Sequence, residues 1–202
     1  MKYTREQIQA AVESKGHKYF TSGVLNVNII GIRNSDTNGR ITNKFDDTMT
    51  ISYKDNDLNW IYNEYNCTTD PGDDWTDNPM LEKGVAILKP GQYPKSHKIR
   101  LHGGKYTALG QQNNVQVYRD RNKDGVYDFD ESTVDEGLFG INIHRATALE
   151  GKTSTYIDKW SAGCQVIASN DDWHEFLNIC QEARSEWNNN FTYTLIESKD
   201  IS

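Results

Sequence analysis

The spacing of hydrophobic residues predicts a β-rich protein with a helix near each end. Thr4 and Gln7 form a capping-box pattern before apolar residues at helical spacing, which predicts a short helix over residues 5–14. Toward the other end, Asn170 is a candidate cap for a second helix over residues 171–187. The apolar positions of this second helix share one face: Trp173, Phe176, Leu177 and Cys180.

Between the two helices, short alternating or β-branched runs are separated by turns rich in Gly, Pro and Asn. Such spacing is typical of a barrel-like or sandwich-like sheet. A polar segment with two prolines, residues 68–79, is predicted to be a surface loop or a lid. The predicted strands are residues 24–32, 48–53, 60–67, 84–88, 98–102, 106–109, 115–118, 138–143 and 191–196.

Composition narrows the class of protein. The chain has 202 residues, of which 36% are hydrophobic and 25% charged, and its net charge is -7. Because no basic cluster interleaves with aromatic residues, nucleic acid is not an expected partner. No stretch reaches the roughly 18 apolar residues of a membrane span, and residues 1–14 lack the apolar segment of a secretory signal.

The three cysteines differ in their surroundings. An odd number argues against a complete disulfide framework, although one pair plus one free thiol stays open. Cys67 lies on an aromatic strand and Cys180 on the apolar face of a helix, so both are expected to be buried structural residues. Cys164 follows a Ser-x-Gly turn instead, which makes it the candidate for chemistry.

An acidic segment, D-R-N-K-D-G-V-Y-D-F-D-E at residues 120–131, fits the twelve-residue calcium loop. Gly125 stands at the sixth position, where the sharp turn needs glycine. The flanking residues are not helical, so we expect a structural Ca²⁺ site in a β context, and the alternative is a solvated acidic hairpin. The candidate ligands are Asp120, Asn122, Asp124, the carbonyl of Val126, Asp128 and Glu131.

The strongest chemical signal is the pairing of His144 with Cys164. His144 ends an apolar, strand-like run, and Cys164 precedes another. Free cysteine has a pKa of roughly 8.5, so a thiol needs a nearby base to become a thiolate at neutral pH. A histidine at the end of a neighbouring strand can be that base.

These residues resemble the L,D-transpeptidase catalytic domain, whose signature is a His followed by Ser/Thr-His-Gly-Cys. Here sixteen residues separate His144 from Ser161, and S-A-G-C stands in the place of S-H-G-C. The match is local, over about residues 138–168. It implies an L,D-transpeptidase-like β-sandwich or barrel core in residues 81–202, with the calcium loop inserted. Residues 1–80 align with nothing in that family and are either a separate module or an integral part of the same domain.

The resemblance also implies roles for individual residues. Cys164 would be the nucleophile and His144 its base, oriented by the backbone carbonyl of Arg145. Backbone N–H groups of Ala162, Gly163 and Cys164 would form the oxyanion hole, and Ser161 would hold the turn by local hydrogen bonds. Two positions depart from the family pattern. Ala162 replaces the family's second His, which leaves His144 as the base, and Val166 replaces a polar residue whose substrate contact Gln165 could supply.

Two classes of function follow. The first is a cysteine-dependent enzyme acting on the stem peptides of bacterial peptidoglycan, as an L,D-transpeptidase, carboxypeptidase or endopeptidase. The general style of the chain resembles bacteriophage proteins, so we expect it to be carried in the virion or made in the host cytoplasm, and to act at the cell wall. The second is a non-catalytic virion or cell-wall-binding protein stabilised by Ca²⁺, in which the aromatic residues Trp60, Trp75 and Trp160 bind glycan or other virion proteins. An unrelated intracellular cysteine peptidase is a third alternative.

Overall fold

The computed structural model describes residues 2–201 and has a β-rich α+β architecture, which confirms the predicted class. Within those residues there are three α-helices, α1 (Arg5–Ser14), α2 (Asp73–Asp77) and α3 (Asn170–Trp187). The strands are β1 (Asn28–Arg33), β2 (Asp47–Lys54), β3 (Trp60–Thr68), β4 (Val85–Leu88), β5 (Gly91–His102), β6 (Tyr106–Gln111), β7 (Val115–Asp120), β8 (Asp135–Gly137), β9 (Ile143–Arg145), β10 (Gln165–Ile167) and β11 (Phe191–Glu197).

Eight strands close into a barrel in the order β1-β11-β5-β6-β9-β10-β3-β2, and β4, β7 and β8 form a separate three-stranded sheet. Most neighbours are antiparallel, but β1 runs parallel to β11 and β9 runs parallel to β10. The strands of the first 80 residues, β1 to β3, therefore lie in the same barrel as the later strands. Closure also removes the unpaired strand edges that an open sheet would expose.

The helices cover the barrel with the faces that the sequence predicted. Helix α3 buries Trp173 and Phe176, whose side chains are 1% and 0% exposed, and burial of such side chains contributes about 1.5–3 kcal/mol each. Helix α1 packs Ile8 and Val12 into a smaller cluster with β1 and β11. Its capping box is present, because the Thr4 side chain accepts from the Gln7 backbone and the Gln7 side chain accepts from Thr4. None of the helices in residues 2–201 is long and apolar enough to cross a bilayer.

Two sequence predictions near the later site are wrong. Residues 138–142 are not a strand, because the backbone N–H groups of Phe139 and Ile141 donate to the side-chain oxygen of Gln111 instead of joining a ladder. The strand therefore starts only at Ile143. The segment 68–79 is not a plain surface loop: its residues 68–72 are buried, and it contains the short helix α2.

Smaller differences concern the bounds of single elements. The first strand begins at Asn28 and not at residue 24, since Leu25 adopts a left-handed backbone with φ 54°. Helix α3 is capped by Ser169, whose side chain accepts from Asp172, and not by Asn170. All three cysteines are free, and Cys67 and Cys180 are fully buried.

Candidate active site around Cys164 and His144

The parallel pair β9 and β10 brings Cys164 close to His144. The register aligns Gln165 with Ile143 and Val166 with His144, and the N–H of Gln165 donates to the carbonyl of Asn142 at 2.8 Å. Cys164 directly precedes β10, so this pairing puts it beside Asn142, two residues before His144.

Burial keeps the imidazole of His144 uncharged, and a backbone carbonyl determines which ring nitrogen carries the proton. The side chain is 4% exposed, and its Nδ1 lies 2.8 Å from the carbonyl oxygen of Arg145. A carbonyl can only accept, so Nδ1 carries the proton and Nε2 is left with a free lone pair. Burial lowers the pKa of His144 to about 4, although the Arg145 contact acts in the opposite direction. The imidazole is therefore uncharged at neutral pH.

Two neighbours of His144 come from the hairpin of β5 and β6, and the sequence patterns did not place them there. The ring of His102 stacks on that of His144 with centroids 4.5 Å apart, and the hydroxyl of Tyr106 lies 3.3 Å from Nδ1. The hairpin pairs His102 with Tyr106 across Gly103 and Gly104, which both have positive φ. The H-G-G-K-Y sequence marks this hairpin, but only the β6–β9 pairing shows that it abuts His144.

The thiol of Cys164 is only partly exposed and does not contact His144 in this conformation. Its S–H donates to the carbonyl of Gly140 at 3.2 Å, and within residues 2–201 no hydrogen bond joins it to the imidazole. Burial raises the pKa of Cys164 to about 11, opposed by the backbone N–H of Asn142. The resting thiol is therefore protonated and hydrogen-bonded to Gly140.

Ser161 stabilises the turn before Cys164 by local hydrogen bonds, as expected from the sequence. The Ser161 hydroxyl donates to the carbonyl of Cys164 at 2.7 Å and accepts from the N–H of Gly163 at 3.1 Å. Gly163 has φ +123°, and a Cβ built there would lie 2.3 Å from the carbonyl oxygen of Ala86. Only glycine fits this position, both for its backbone conformation and for its close packing.

The geometry corrects two roles that the resemblance implied. The N–H of Gly163 is already donated to Ser161, so it does not serve an oxyanion hole here. The N–H groups of Ala162 and Cys164 have no acceptor within residues 2–201, and they are the two remaining donors of the turn. Gln165 is fully buried, so it does not supply a substrate contact.

A cleft lies beside the turn that precedes Cys164, and a cationic side chain lies beside Tyr106, the neighbour of His144. Ala162 lines a cleft of about 230 Å³ together with exposed apolar side chains of Met80, Leu81 and Leu138. On the side of His144, the guanidinium of Arg145 lies over the ring of Tyr106, 4.5 Å from its centroid. Arg145 forms no ion pair with any carboxylate of residues 2–201, so its positive charge is uncompensated.

The acidic loop brings four of its predicted cation ligands near one another. The side-chain amide of Asn122 donates to Asp124 at 3.1 Å and to Asp128 at 2.9 Å. Burial, followed by the charge of Asp128 and then that of Asp124, raises the pKa of Asp120 to about 6. Oxygen donors of this kind suit Ca²⁺.

The remaining two predicted ligands differ from each other. The carbonyl of Val126 accepts no hydrogen bond within residues 2–201, whereas its N–H donates to Asp124 at 2.9 Å. Glu131 is turned away, because its carboxylate accepts from the Tyr118 hydroxyl at 3.0 Å and pairs with Lys89. In the part of the chain that is described, no three His, Cys, Asp or Glu side chains are close enough to form a metal site. In this structure Glu131 is therefore paired with Lys89 and Tyr118 and does not join the other candidate ligands.

Comparison of the chain with protein-family models, with curated proteins and with solved structures gave no match.

Proposed function

We propose that this protein is a cysteine-dependent acyl-transfer enzyme that acts on peptidoglycan stem peptides, as an L,D-transpeptidase, carboxypeptidase or endopeptidase. One observation carries the proposal: the Arg145 carbonyl binds Nδ1 of His144, which leaves Nε2 as a proton acceptor beside the strand that follows Cys164. A nucleophile and a base oriented by a third group are the parts that covalent acyl transfer requires. The two free N–H groups of the Cys164 turn add a means of stabilising an oxyanion.

The reaction would begin with rotation of the Cys164 thiol from Gly140 toward His144. Nε2 takes the proton while the sulfur attacks the acyl carbon of the peptide, and the N–H groups of Ala162 and Cys164 bind the resulting oxyanion. The tetrahedral intermediate then breaks its C–N bond, and His144 returns the proton to the leaving amine. Finally the thioester is attacked by an amine, which gives transpeptidation, or by water, which gives hydrolysis.

The cation near His144 supports a peptide substrate with a free carboxylate. Arg145 presents an uncompensated guanidinium beside His144, and guanidinium groups bind carboxylates with paired hydrogen bonds. The cleft beside Ala162 would accept a short aliphatic group on the other side of the scissile bond. Stem peptides combine carboxylates with short side chains. The sequence resemblance supports two further parts of the proposal: a role in wall remodelling or lysis by a phage, and an L,D-transpeptidase-like fold.

Turnover of purified muropeptides by the Cys164→Ala variant tests the proposal. We expect complete loss of product in mass spectrometry, with unchanged circular dichroism, because the nucleophile is gone and the buried turn is kept. Cys180→Ala is the matched control, since it removes a buried thiol on α3 and should leave turnover intact. Turnover by Cys164→Ala at the wild-type rate would rule out this mechanism.

A non-catalytic wall-binding or virion protein is the second candidate. It is favoured by the resting thiol, which is bound to the Gly140 carbonyl and has a pKa raised to about 11. Trp160, which is 46% exposed, would then contribute to a binding surface. This candidate would be favoured if the wild type and Cys164→Ala sedimented equally with purified peptidoglycan and intact-mass spectra showed no acyl-enzyme.

We further propose that the acidic loop binds Ca²⁺ as a structural ion. Asp120, Asn122, Asp124 and Asp128 would hold it together with the carbonyl of Val126. Glu131 would have to exchange its contact with Lys89 for the ion. The ion would offset the burial of Asp120 and the repulsion from Asp128 and Asp124, which together raise the pKa of Asp120.

A further inference from the structure

Gln165 is a buried polar side chain inside the barrel, directly after the nucleophile. Its exposure is 0%, and so is that of its partner Tyr193. A buried amide is costly unless all of its groups are hydrogen-bonded, and an apolar residue of the same size would fill the space without that cost. The position therefore calls for an explanation beyond packing.

Three hydrogen bonds determine the orientation of the Gln165 amide. The Tyr193 hydroxyl donates to Oε1 at 2.7 Å, which leaves Nε2 facing two carbonyl oxygens. Nε2 donates to Gly163 and to Thr69, each at 3.3 Å. Gln165 thus ties the turn that precedes Cys164 to the end of β3 and to the core strand β11.

The bond to Gly163 also determines where the next N–H points. The C=O of Gly163 and the N–H of Cys164 belong to one planar trans peptide, so they point in opposite directions. Because Gln165 draws the Gly163 carbonyl into the barrel, the Cys164 N–H is directed out of it, where it finds no acceptor within residues 2–201. An N–H held in advance toward the developing charge is what an oxyanion hole needs.

We infer that Gln165 is a positioning residue that holds the Cys164 N–H as the oxyanion donor, with Tyr193 holding Gln165. The inference rests on the proposed function, since it assigns a role within cysteine acyl transfer. It does not make Gln165 a group that contacts the substrate. Ser161 secures the other end of the same turn through the Gly163 N–H and the Cys164 carbonyl.

Two reactions of the same thiol separate this role from a general structural one. With p-nitrophenyl acetate, the S–C bond forms, the C–O bond breaks, and the thiol proton leaves with p-nitrophenol, through a tetrahedral oxyanion. With iodoacetamide, sulfur displaces iodide from a saturated carbon and no oxyanion forms. Loss of one oxyanion donor costs about 10²–10³-fold in kcat. A misdirected donor should cost less, so we expect Gln165→Met to slow acylation about 10–100-fold and to change alkylation less than twofold.

Tyr193→Phe and Thr50→Val complete the experiment. Tyr193→Phe keeps Gln165 but removes the hydroxyl that orients it, so acylation should fall about 3–10-fold even if Gln165→Met fails to fold. Thr50→Val removes another buried hydroxyl of the barrel, which donates to Ile30 at 3.3 Å, and should change neither rate.

The outcomes separate the two levels of the proposal. The role of Gln165 would be overturned if the variants lost acylation and alkylation equally, or if neither variant lost acylation. The proposed enzymatic function would still stand in that case, because the wild type is acylated. A wild type that is alkylated at Cys164 but never acylated would overturn the proposed function, and the role of Gln165 with it.

Discussion

The resting thiol should react slowly, and the rate can be worked out from its environment. Burial raises the pKa of Cys164 to about 11. At pH 7 about one thiol in 10⁴ is then ionised, against about one in 30 for a free cysteine with a pKa of roughly 8.5. The more basic thiolate is intrinsically more nucleophilic, and at a Brønsted coefficient of 0.4–0.5 this raises the rate per thiolate about tenfold. Iodoacetamide should therefore alkylate Cys164 about 30-fold more slowly than free cysteine.

His144→Ala is the informative perturbation. The S–H donates to Gly140 and not to His144, so alkylation of the variant should stay within twofold of the wild type. Since the thiol pKa lies above the accessible range, both rates should rise about tenfold per pH unit from pH 7 to pH 10. Acylation by an ester should fall about 10²–10⁴-fold in the same variant, because it needs a general base.

Intact-mass spectrometry after timed quenching measures both rates. Cys164→Ala is the blank, because Cys67 and Cys180 are fully buried and their pKa values are raised by burial. An alkylation rate that levels off below pH 8 in the wild type, but not in His144→Ala, would refute the reasoning. It would mean that His144 already ionises the thiol in the resting protein.

Two further predictions concern the turn and the acidic loop. Gly163→Ala should lower the free energy of unfolding in urea by about 2–5 kcal/mol, from backbone strain and from the clash with Ala86. Gly151→Ala, which has φ +66° but open space around it, should cost only about 1–2 kcal/mol, and equal losses would contradict the packing argument. Calcium at 10 mM should stabilise the wild type by about 1–3 kcal/mol in thermal unfolding, and Asp124→Asn/Asp128→Asn should abolish the shift. An equal shift in that double variant would count against the loop as the binding site.

Much of the secondary structure was predictable because its signals are local. The capping box of Thr4 and Gln7, the apolar face of α3 and the alternation of β2 each lie within a few residues. The predictions failed where a distant side chain replaced a backbone partner. Residues 138–142 look like a strand in sequence, but Gln111, about thirty residues earlier, takes their N–H groups.

The candidate site likewise has features that local sequence predicted and features that it did not. The sequence by itself singled out Cys164, His144 and the turn that Ser161 fastens, because those features depend on residue type and short spacing. The contact of Nδ1 with the carbonyl of Arg145 was expected only through a family resemblance. The positions of His102 and Tyr106 became visible only in the tertiary structure, since they depend on which strands pair.

Closure of the barrel decided the rest. The parallel pairing of β1 with β11 joins residues more than 160 positions apart, and no local periodicity encodes such a partner. The same closure brings Tyr193 of β11 to Gln165, so a side chain that could have supplied a substrate contact is instead buried in the barrel. Residue types thus determine which chemistry is possible, and long-range packing determines which atoms can meet, because hydrogen-bond partners far apart in sequence are chosen only when the chain folds.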